Sequence, residues 1–242
     1  MNYINTLGFK VFSDSLEKIN LKEIRNKTLN TISPNSYGIT KKDPLFLNAL
    51  KNTDYLVLDG VYFALASIFL NKKNIRKNQG PDVFDFFIKK MNTEYGRVFF
   101  LGSSNETLDK IKIKLKLQYP NVTAGFLSPP FKRKFSNQDN KEMIDSINGF
   151  EPDIIFVGMT CPKQEKWAHE HIDKLNTKLI CSIGAVFDWY AGNQRDIHPL
   201  WWTFRLAWLK RTIDRPEILK RYPSIGVFFW DLILVILRIK KI

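Results

Sequence analysis

Short apolar runs alternate with helix-like stretches along this chain, and this alternation limits the fold more than any other feature. Strands separated by helices pack as a largely parallel sheet with helices on its faces. We therefore predict an α/β fold. The runs are YLVLDG near residue 55, RVFFLG near 97, NVTAGF near 121, DIIFVG near 153 and LICSIG near 179.

The stretch SSNETLDKIKIKLKLQ is the clearest helix between two of these runs. Ser103 and Glu106 have the spacing of a capping box, and apolar residues then alternate with lysines. One face of the predicted helix is apolar and the other is basic. We expect the basic face to be solvated surface.

Length and charge narrow the class of protein. With 242 residues and 44% hydrophobic content, the chain can form one α/β domain with an appendage, or two small domains. Its formal charge of +13 predicts an anionic partner: nucleic acid, a phospholipid surface or a phosphorylated small substrate. Cys161 and Cys181 form no Cys-x-x-Cys pair, which favours a reducing cytosolic setting.

The composition changes near residue 194, so we predict an α/β domain over 1–194 and an appendage over 195–242. The appendage holds ten basic residues against four acidic ones, and four of the six tryptophans. This mixture suits a bilayer interface. Asp231 interrupts the apolar run IGVFFWDLILVILRIKKI, which is shorter than the ~20 residues that span a membrane. We predict that the tail lies on a membrane; the alternative is a helix folded back into the core.

Three strand ends carry side chains suited to ligands, because ligands bind at the carboxyl ends of parallel strands. In FLGSSNE, Gly102 precedes a predicted helix start that favours an anion, although an ordinary N-cap is the alternative. In VGMTCPKQE, Pro162 suits the first helical position, which places Lys163 and Gln164 in the first turn. That turn can bind a sugar or a phosphate, or can simply be solvated. In SIGAVFDWYAG, Asp188 can accept hydrogen bonds from a base or a ribose, or cap a turn.

Two further segments are candidates. YLVLDG ends on Asp59 and Gly60, where a carboxylate can take a proton from an incoming hydroxyl, although an Asp-Gly turn is the alternative. TISPNSYG supplies Ser33 and Asn35 in a turn that contains proline.

Several other chemistries are not supported. The three histidines lack metal-ligand spacing, and neither Asp-x-Asp nor Gly-x-Ser-x-Gly occurs. We predict no cofactor and no metal, so lysines, arginines and helix N-termini would neutralise a bound phosphate.

The chain resembles the WecG/TagA/CpsF glycosyltransferases, glycosyltransferase family 26, over nearly its whole length. The motifs that carry this resemblance occur in the family's order, and Pro-Lys-Gln-Glu and Phe-Asp-x-x-Ala-Gly are its most specific parts. They are Ser33-Pro34-Asn35, LDG, KNQGPD, FLGSS, GMTCPKQE, FDWYAG and LAWLKRTIDRPEILKR.

The resemblance implies a Rossmann-like α/β domain with a basic, Trp-rich C-terminal helical appendage. It also implies an inverting, metal-independent enzyme that moves a sugar from a UDP-sugar to a polyprenyl-diphosphate-linked glycan. The enzyme would act peripherally at the cytoplasmic face of a bacterial inner membrane, on an anionic surface. The pathway would be surface polysaccharide synthesis.

The same resemblance implies roles for individual residues. Asp59 matches the proposed catalytic base and Gln164 an active-site glutamine, while Arg211 and Arg221 match arginines that reach the site or the lipid diphosphate. The other expected acceptor or membrane residues are Arg205, Trp201 and Trp202. The expected substrate-binding residues are Ser33, Asn35, Lys77, Gly102, Ser103, Phe131, Lys163 and Asp188.

Three segments depart from the family pattern. Lys77 stands where arginine is common, and lysine cannot form a bidentate phosphate clamp. Pro129-Pro130-Phe131 replaces Gly-Tyr-Phe, and QRDIHP replaces Arg-Ala-Pro. These differences concern the identity of the sugar more than the reaction.

Two other classes of function compete with this interpretation. A non-catalytic peripheral membrane protein that binds sugar nucleotides or polyprenyl phosphates would keep the basic tail without needing Asp59. A nucleic-acid-binding module would explain the charge, but the sequence shows no such motif, and its aromatic residues cluster with aliphatic ones. We therefore predict no nucleic-acid partner.

Overall fold

A computed structural model describes residues 1–73, 75, 78–193, 207–214 and 216–240 of the chain. Two strands form an antiparallel hairpin, and six form a parallel sheet in the order β4-β3-β8-β7-β5-β6. The strands are β1 Tyr3–Thr6, β2 Phe9–Phe12, β3 Lys27–Ile32, β4 Tyr55–Leu58, β5 Arg97–Gly102, β6 Thr123–Leu127, β7 Ile154–Gly158 and β8 Leu179–Ser182.

Helices cover both faces of the sheet, and short 3-10 helices occupy Leu16–Lys18, Ile172–Lys174 and Pro216–Arg221. The α-helices in the described ranges are α1 Pro34–Thr40, α2 Pro44–Lys51, α3 Val61–Asn71, α4 Gly80–Thr93, α5 Asn105–Gln118, α6 Asn137–Phe150, α7 Lys163–His171, α8 Val186–Ala191, α9 Ala207–Asp214 and α10 Tyr222–Ile236.

The predicted α/β fold with a parallel sheet is confirmed, and the five apolar runs form β4 to β8. Neighbouring residues of each central strand contribute to opposite faces. Phe100 and Phe156 pack under α4 and α5, whereas Phe99 and Ile155 pack under α6 and α7. Burial on both faces explains why these strands are continuous apolar runs rather than alternating ones.

Two predicted helix starts are displaced by one residue. Ser104, and not Ser103, is the N-cap of α5, since its side chain accepts a hydrogen bond from the backbone N–H of Thr107. The predicted Ser103–Glu106 capping box is therefore wrong, and Ser103 has a left-handed backbone with φ +61°. Helix α7 begins at Lys163, directly after Pro162.

Helix α10 packs one face against α1 and α3. A Cβ added to Gly38 would lie 2.0 Å from the carbonyl oxygen of Ser224, so the backbones of α1 and α10 are in direct contact. The ring of Phe228 is fully buried, with its centroid 5.6 Å from that of Tyr37 and 5.0 Å from that of Phe63. The tail helix thus contributes to the core on this side.

A buried carboxylate fixes this contact. Asp231 accepts hydrogen bonds of 2.7 Å from the Tyr37 hydroxyl and the Lys240 ammonium, and Lys41 lies 3.2 Å away. Burial alone would raise the pKa of Asp231, but these three partners bring it below its usual value. Asp231, the acidic residue inside the apolar run, therefore joins α10 to α1 through a hydrogen bond and an ion pair.

The membrane and appendage predictions have different outcomes. Among the helices that the structure describes, none is long and apolar enough to cross a bilayer. Trp201, Trp202, Arg205 and Lys77 lie outside the described residues. The basic, Trp-rich appendage therefore stays a prediction.

Candidate active site

The chain leaves β5 and β7, which are neighbours, in opposite directions. After β5 it runs outward to β6, and after β7 it runs back to β8. Ligands of open α/β sheets bind where neighbouring connections diverge in this way. The loops that begin at Gly102 and Gly158 are therefore the two sides of the expected crevice.

Gly102 allows these two loops to approach each other closely. With φ +125° it has a conformation that favours glycine, and an added Cβ would lie 2.5 Å from the carbonyl oxygen of Gly158. The backbone N–H of Ser103 donates to the same oxygen at 3.1 Å. FLGSS thus forms the crevice through its backbone, and Ser104 then starts α5 at its edge.

Asp59 and Ser33 lie beside each other at the ends of β4 and β3. The backbone N–H of Asp59 donates to the carbonyl oxygen of Ile32 at 2.9 Å. Ser33 is the N-cap of α1: its Oγ accepts from the N–H of Ser36, and the Ser36 hydroxyl accepts from the N–H of Ser33. Asn35 is half-buried in the first turn of α1, at the same edge.

Gln164 lies in the first turn of α7, as predicted, and its side chain is buried. Its Nε2 donates to Oε1 of Glu165 at 2.9 Å, while its Oε1 has no hydrogen-bond partner in the described part of the chain. A Cβ on Gly184, which has φ +52°, would lie 3.5 Å from the Gln164 amide. The amide therefore lies between the loops that follow β7 and β8, with a buried acceptor oxygen that no described group satisfies.

Glu165 is an ionisable group that sequence reasoning did not assign. Burial raises the pKa of its carboxyl to about 7, against hydrogen bonds from Gln164 and Cys161 that lower it. Burial and the neighbouring Glu165 also raise the pKa of the Cys161 thiol, and the positive charge of Arg221 opposes this effect. Glu165 thus contacts Gln164 directly, and a cation of the C-terminal segment lies close enough to influence the same cluster.

Lys163 faces the loop that follows β6. Its ammonium donates to the carbonyl oxygen of Lys132 and lies 3.5 Å from the ring centroid of Phe135. Burial lowers the pKa of Lys163. The same loop is joined to the crevice by Ser128, whose Oγ donates to the carbonyl oxygen of Ser103 at 2.7 Å. Phe131 is fully exposed on this loop.

The β8 side of the crevice is closed by α8 and the start of α4. Asp188 is half-buried in the first turn of α8. An added Cβ on Gly158 would lie 2.5 Å from the ring of Phe187, and one on Gly80 would lie 3.2 Å from the carbonyl oxygen of Ile183. The glycine in KNQGPD therefore lets the N-terminus of α4 approach the end of β8.

The structure thus brings most of the predicted residues to one edge of the sheet. Asp59, Ser33, Asn35, Asp188, Gly102, Ser103, Lys163 and Gln164 all follow strand ends there. Arg211 lies in α9, and Arg221 is exposed at the end of the 3-10 helix before α10. Across the described residues, no group of three or more His, Cys, Asp or Glu side chains could hold a metal ion.

These features define an open α/β protein with polar side chains gathered at the carboxyl edge of its parallel sheet. The chain belongs to the WecG/TagA/CpsF family of glycosyl transferases, whose family model matches residues 4–241. It is accordingly a glycosyltransferase.

Named relatives come from Staphylococcus aureus. The chain is 24% identical over 216 residues to an N-acetylglucosaminyldiphosphoundecaprenol N-acetyl-beta-D-mannosaminyltransferase of strain MRSA252, and the match covers 89% of this chain and 83% of the relative. Proteins of the same name in strains NCTC 8325 and COL are similar to the same extent.

Proposed function

We propose that this chain moves a hexose or N-acetylhexosamine-type sugar from a UDP-sugar to a polyprenyl-diphosphate-linked glycan, with inversion and without a metal ion. The name of these relatives gives a diphosphoundecaprenol-linked N-acetylglucosamine as their acceptor and N-acetylmannosamine as the group that they transfer. An acceptor of the same lipid-linked class fits this chain. We place the enzyme peripherally at the cytoplasmic face of a bacterial inner membrane, in surface polysaccharide synthesis.

One observation carries the proposal: a carboxylate and an unsatisfied amide oxygen lie at the same sheet edge. Asp59 follows β4 and Gln164 follows β7, with β3 and β8 between them. Strands are spaced at about 4.8 Å, so the ends of β4 and β7 are separated by roughly 14 Å. That space suits a sugar placed between an acceptor hydroxyl near Asp59 and a nucleotide near the β5–β7 crevice.

In the proposed single displacement, Asp59 removes the proton from the acceptor hydroxyl. The hydroxyl oxygen forms a bond to the anomeric carbon while the bond from that carbon to the diphosphate oxygen of UDP breaks. Oε1 of Gln164, which has no partner among the described residues, accepts a hydrogen bond from a sugar hydroxyl. Helix N-termini at the crevice and the C-terminal cations Arg211 and Arg221 stabilise the charge on the departing UDP.

The test is UDP release by the full-length protein with a panel of UDP-sugars and short-chain polyprenyl-diphosphate acceptors, in the presence of EDTA. The variant Asp59→Asn is expected to reduce turnover by about a hundredfold or more, because the base is lost. Asp109→Asn makes the same chemical change at an exposed position of α5 and should retain the wild-type rate.

Wild-type turnover in Asp59→Asn would refute the role of Asp59. A requirement for a divalent ion would refute the metal-independent mechanism. The anomeric configuration of the product, measured by NMR spectroscopy, tests inversion directly.

A further inference from the structure

The outer face of α3 is apolar although it faces solvent. Its inner residues Phe63, Ala64, Ala66 and Ser67 are buried in the core. The exposed side chains recur at the spacing of one helix face: Val61, Tyr62, Leu65, Ile68 and Phe69, the last being 68% exposed. Exposed apolar residues are ordinarily scattered singly, and a continuous set marks an interaction surface.

Helix α10 continues this surface. The Tyr62 and Phe229 rings meet edge to face at 5.3 Å, beside the buried Phe63–Phe228 contact. On the outer side of α10, Trp230 is 63% exposed, and Ile233 is exposed as well. The two helices therefore present one apolar face.

Charge indicates what covers this face. Segments 60–73 and 218–240 contain one acidic residue, Asp231, which is buried and paired with lysines. Lys72, Lys73 and Arg238 are exposed where the two helices end. In a symmetric contact between two copies, cations of like sign would face each other, whereas an anionic headgroup layer is complementary to them. Tyr and Trp at the margin of an apolar face also suit a bilayer interface.

We propose that the outer faces of α3 and α10 together form a docking surface for an anionic lipid bilayer. The surface extends beyond the C-terminal segment into the catalytic domain. Only Gly60 separates Asp59 from α3, so docking holds the carboxylate at the edge of the membrane contact. The proposed function enters this inference only through the lipid-linked acceptor.

The test is co-flotation of the full chain, without sugar nucleotide, with vesicles of phosphatidylcholine alone or mixed with phosphatidylglycerol. The double variant Leu65→Gln/Phe69→Gln should bind the mixed vesicles at least about tenfold more weakly, because two inserted side chains are lost. Wild-type binding should also weaken as salt is added. The matched control is Ile113→Gln/Leu117→Gln, which changes two exposed apolar residues of α5 with the same spacing.

Further measurements distinguish a loss of vesicle binding from unfolding and from a change in oligomeric state. Far-UV circular dichroism and thermal unfolding verify the fold; if the α3 pair unfolds, the single variants Phe69→Gln and Leu117→Gln replace the two pairs. Trp230→Gln/Ile233→Gln should weaken binding as the α3 pair does. Equal binding by the wild type and the α3 variant overturns the proposal, as does an equal loss in the control. A wild-type dimer that the α3 pair dissociates, with vesicle binding unchanged, overturns it in favour of an interface between copies.

Failure of this proposal and failure of the proposed function are distinguishable. The α3 pair should leave UDP release with short-chain acceptors unchanged, because those acceptors need no bilayer. A protein that floats with vesicles and releases no UDP supports the docking surface alone.

Discussion

At the scale of single residues, Glu165 makes the most distinctive prediction. Its folded pKa of about 7 lies above the usual value of 4.5, because the carboxyl is buried. Below pH 4.5 both the folded and the unfolded state hold the proton. As the pH rises from there through 7, the unfolded state loses it first, so the free energy of unfolding falls.

Glu165→Gln should remove this loss while keeping a side chain that can bond to Gln164. The variant should gain stability relative to the wild type as the pH rises through this window, on the order of 3 kcal/mol at the upper end. Urea unfolding of both proteins between pH 4.5 and 7 measures this difference in the free energy of unfolding. Burial also lowers the pKa of His171, but this contribution is present in both proteins and cancels when they are compared. Among the described residues, the other ionisable groups whose charge or hydrogen bonds reach this cluster are Asp43, Cys161, Lys166 and Arg221.

Glu142→Gln is the matched control, because Glu142 is exposed on α6 and accepts a hydrogen bond from Gln138, outside this cluster. It should follow the wild-type curve. Parallel curves for Glu165→Gln and the wild type would show that Glu165 does not carry the extra proton.

Sequence reasoning found residues whose position follows from a strand end, and it missed those whose property depends on packing. Asp59, Gln164 and Asp188 come directly after apolar runs, so their placement at one edge follows from a parallel sheet. Glu165 stands beside Gln164 in the motif, but its burial appears only once α7 is packed in the fold.

At the scale of elements, the contact between α1 and α10 depends on Gly38. Gly38→Ala would place a Cβ 2.0 Å from the Ser224 carbonyl oxygen, and a backbone atom cannot yield as a side-chain end can. We expect the two helices to separate and the free energy of unfolding to fall by about 2 kcal/mol or more. Chemical denaturation measures this change.

Gly149→Ala is the control for Gly38→Ala. Gly149 lies in α6 with open space around its Cβ position, so alanine should raise stability by up to about 1 kcal/mol. Equal effects of the two substitutions would contradict the close contact.

Strand β3 is one element that the sequence did not reveal, because part of its buried surface is polar. Strand β3, KTLNTI, lies in the middle of the sheet, yet Thr28 and Asn30 are buried in it, and Asn30 donates to the Thr53 hydroxyl at 2.7 Å. A search for apolar runs therefore passes over it. Helix α3 is difficult for the opposite reason. Its sequence is apolar on every side, so the hydrophobic pattern cannot distinguish the buried face from the exposed one.

At the scale of the whole molecule, the C-terminal segment contributes both packing and charge. A chain that ends at Asn193 would lose Phe228 and Leu232 from the core that they share with Tyr37 and Phe63. We expect it to unfold at a lower temperature than the full chain and to turn over poorly. Calorimetry and UDP release measure the two effects.

Phe228→Ala in the full chain separates the two contributions, because it removes packing but keeps Arg211 and Arg221. It should lower the unfolding temperature and leave more activity than the truncation does. Full activity in the truncated chain would show that the segment does not complete the site.

The contacts between Asp231 and α1 also affect how this protein behaves in water. Tyr37 and Lys41, at α1, hold Asp231 on the inner side of α10, so the outer residues of this helix stay turned away from the core. A rigid, ready-made face attaches without an ordering cost. We expect the same rigidity to keep this apolar face exposed to water when no bilayer or detergent is present, so that added detergent should raise the solubility of the chain.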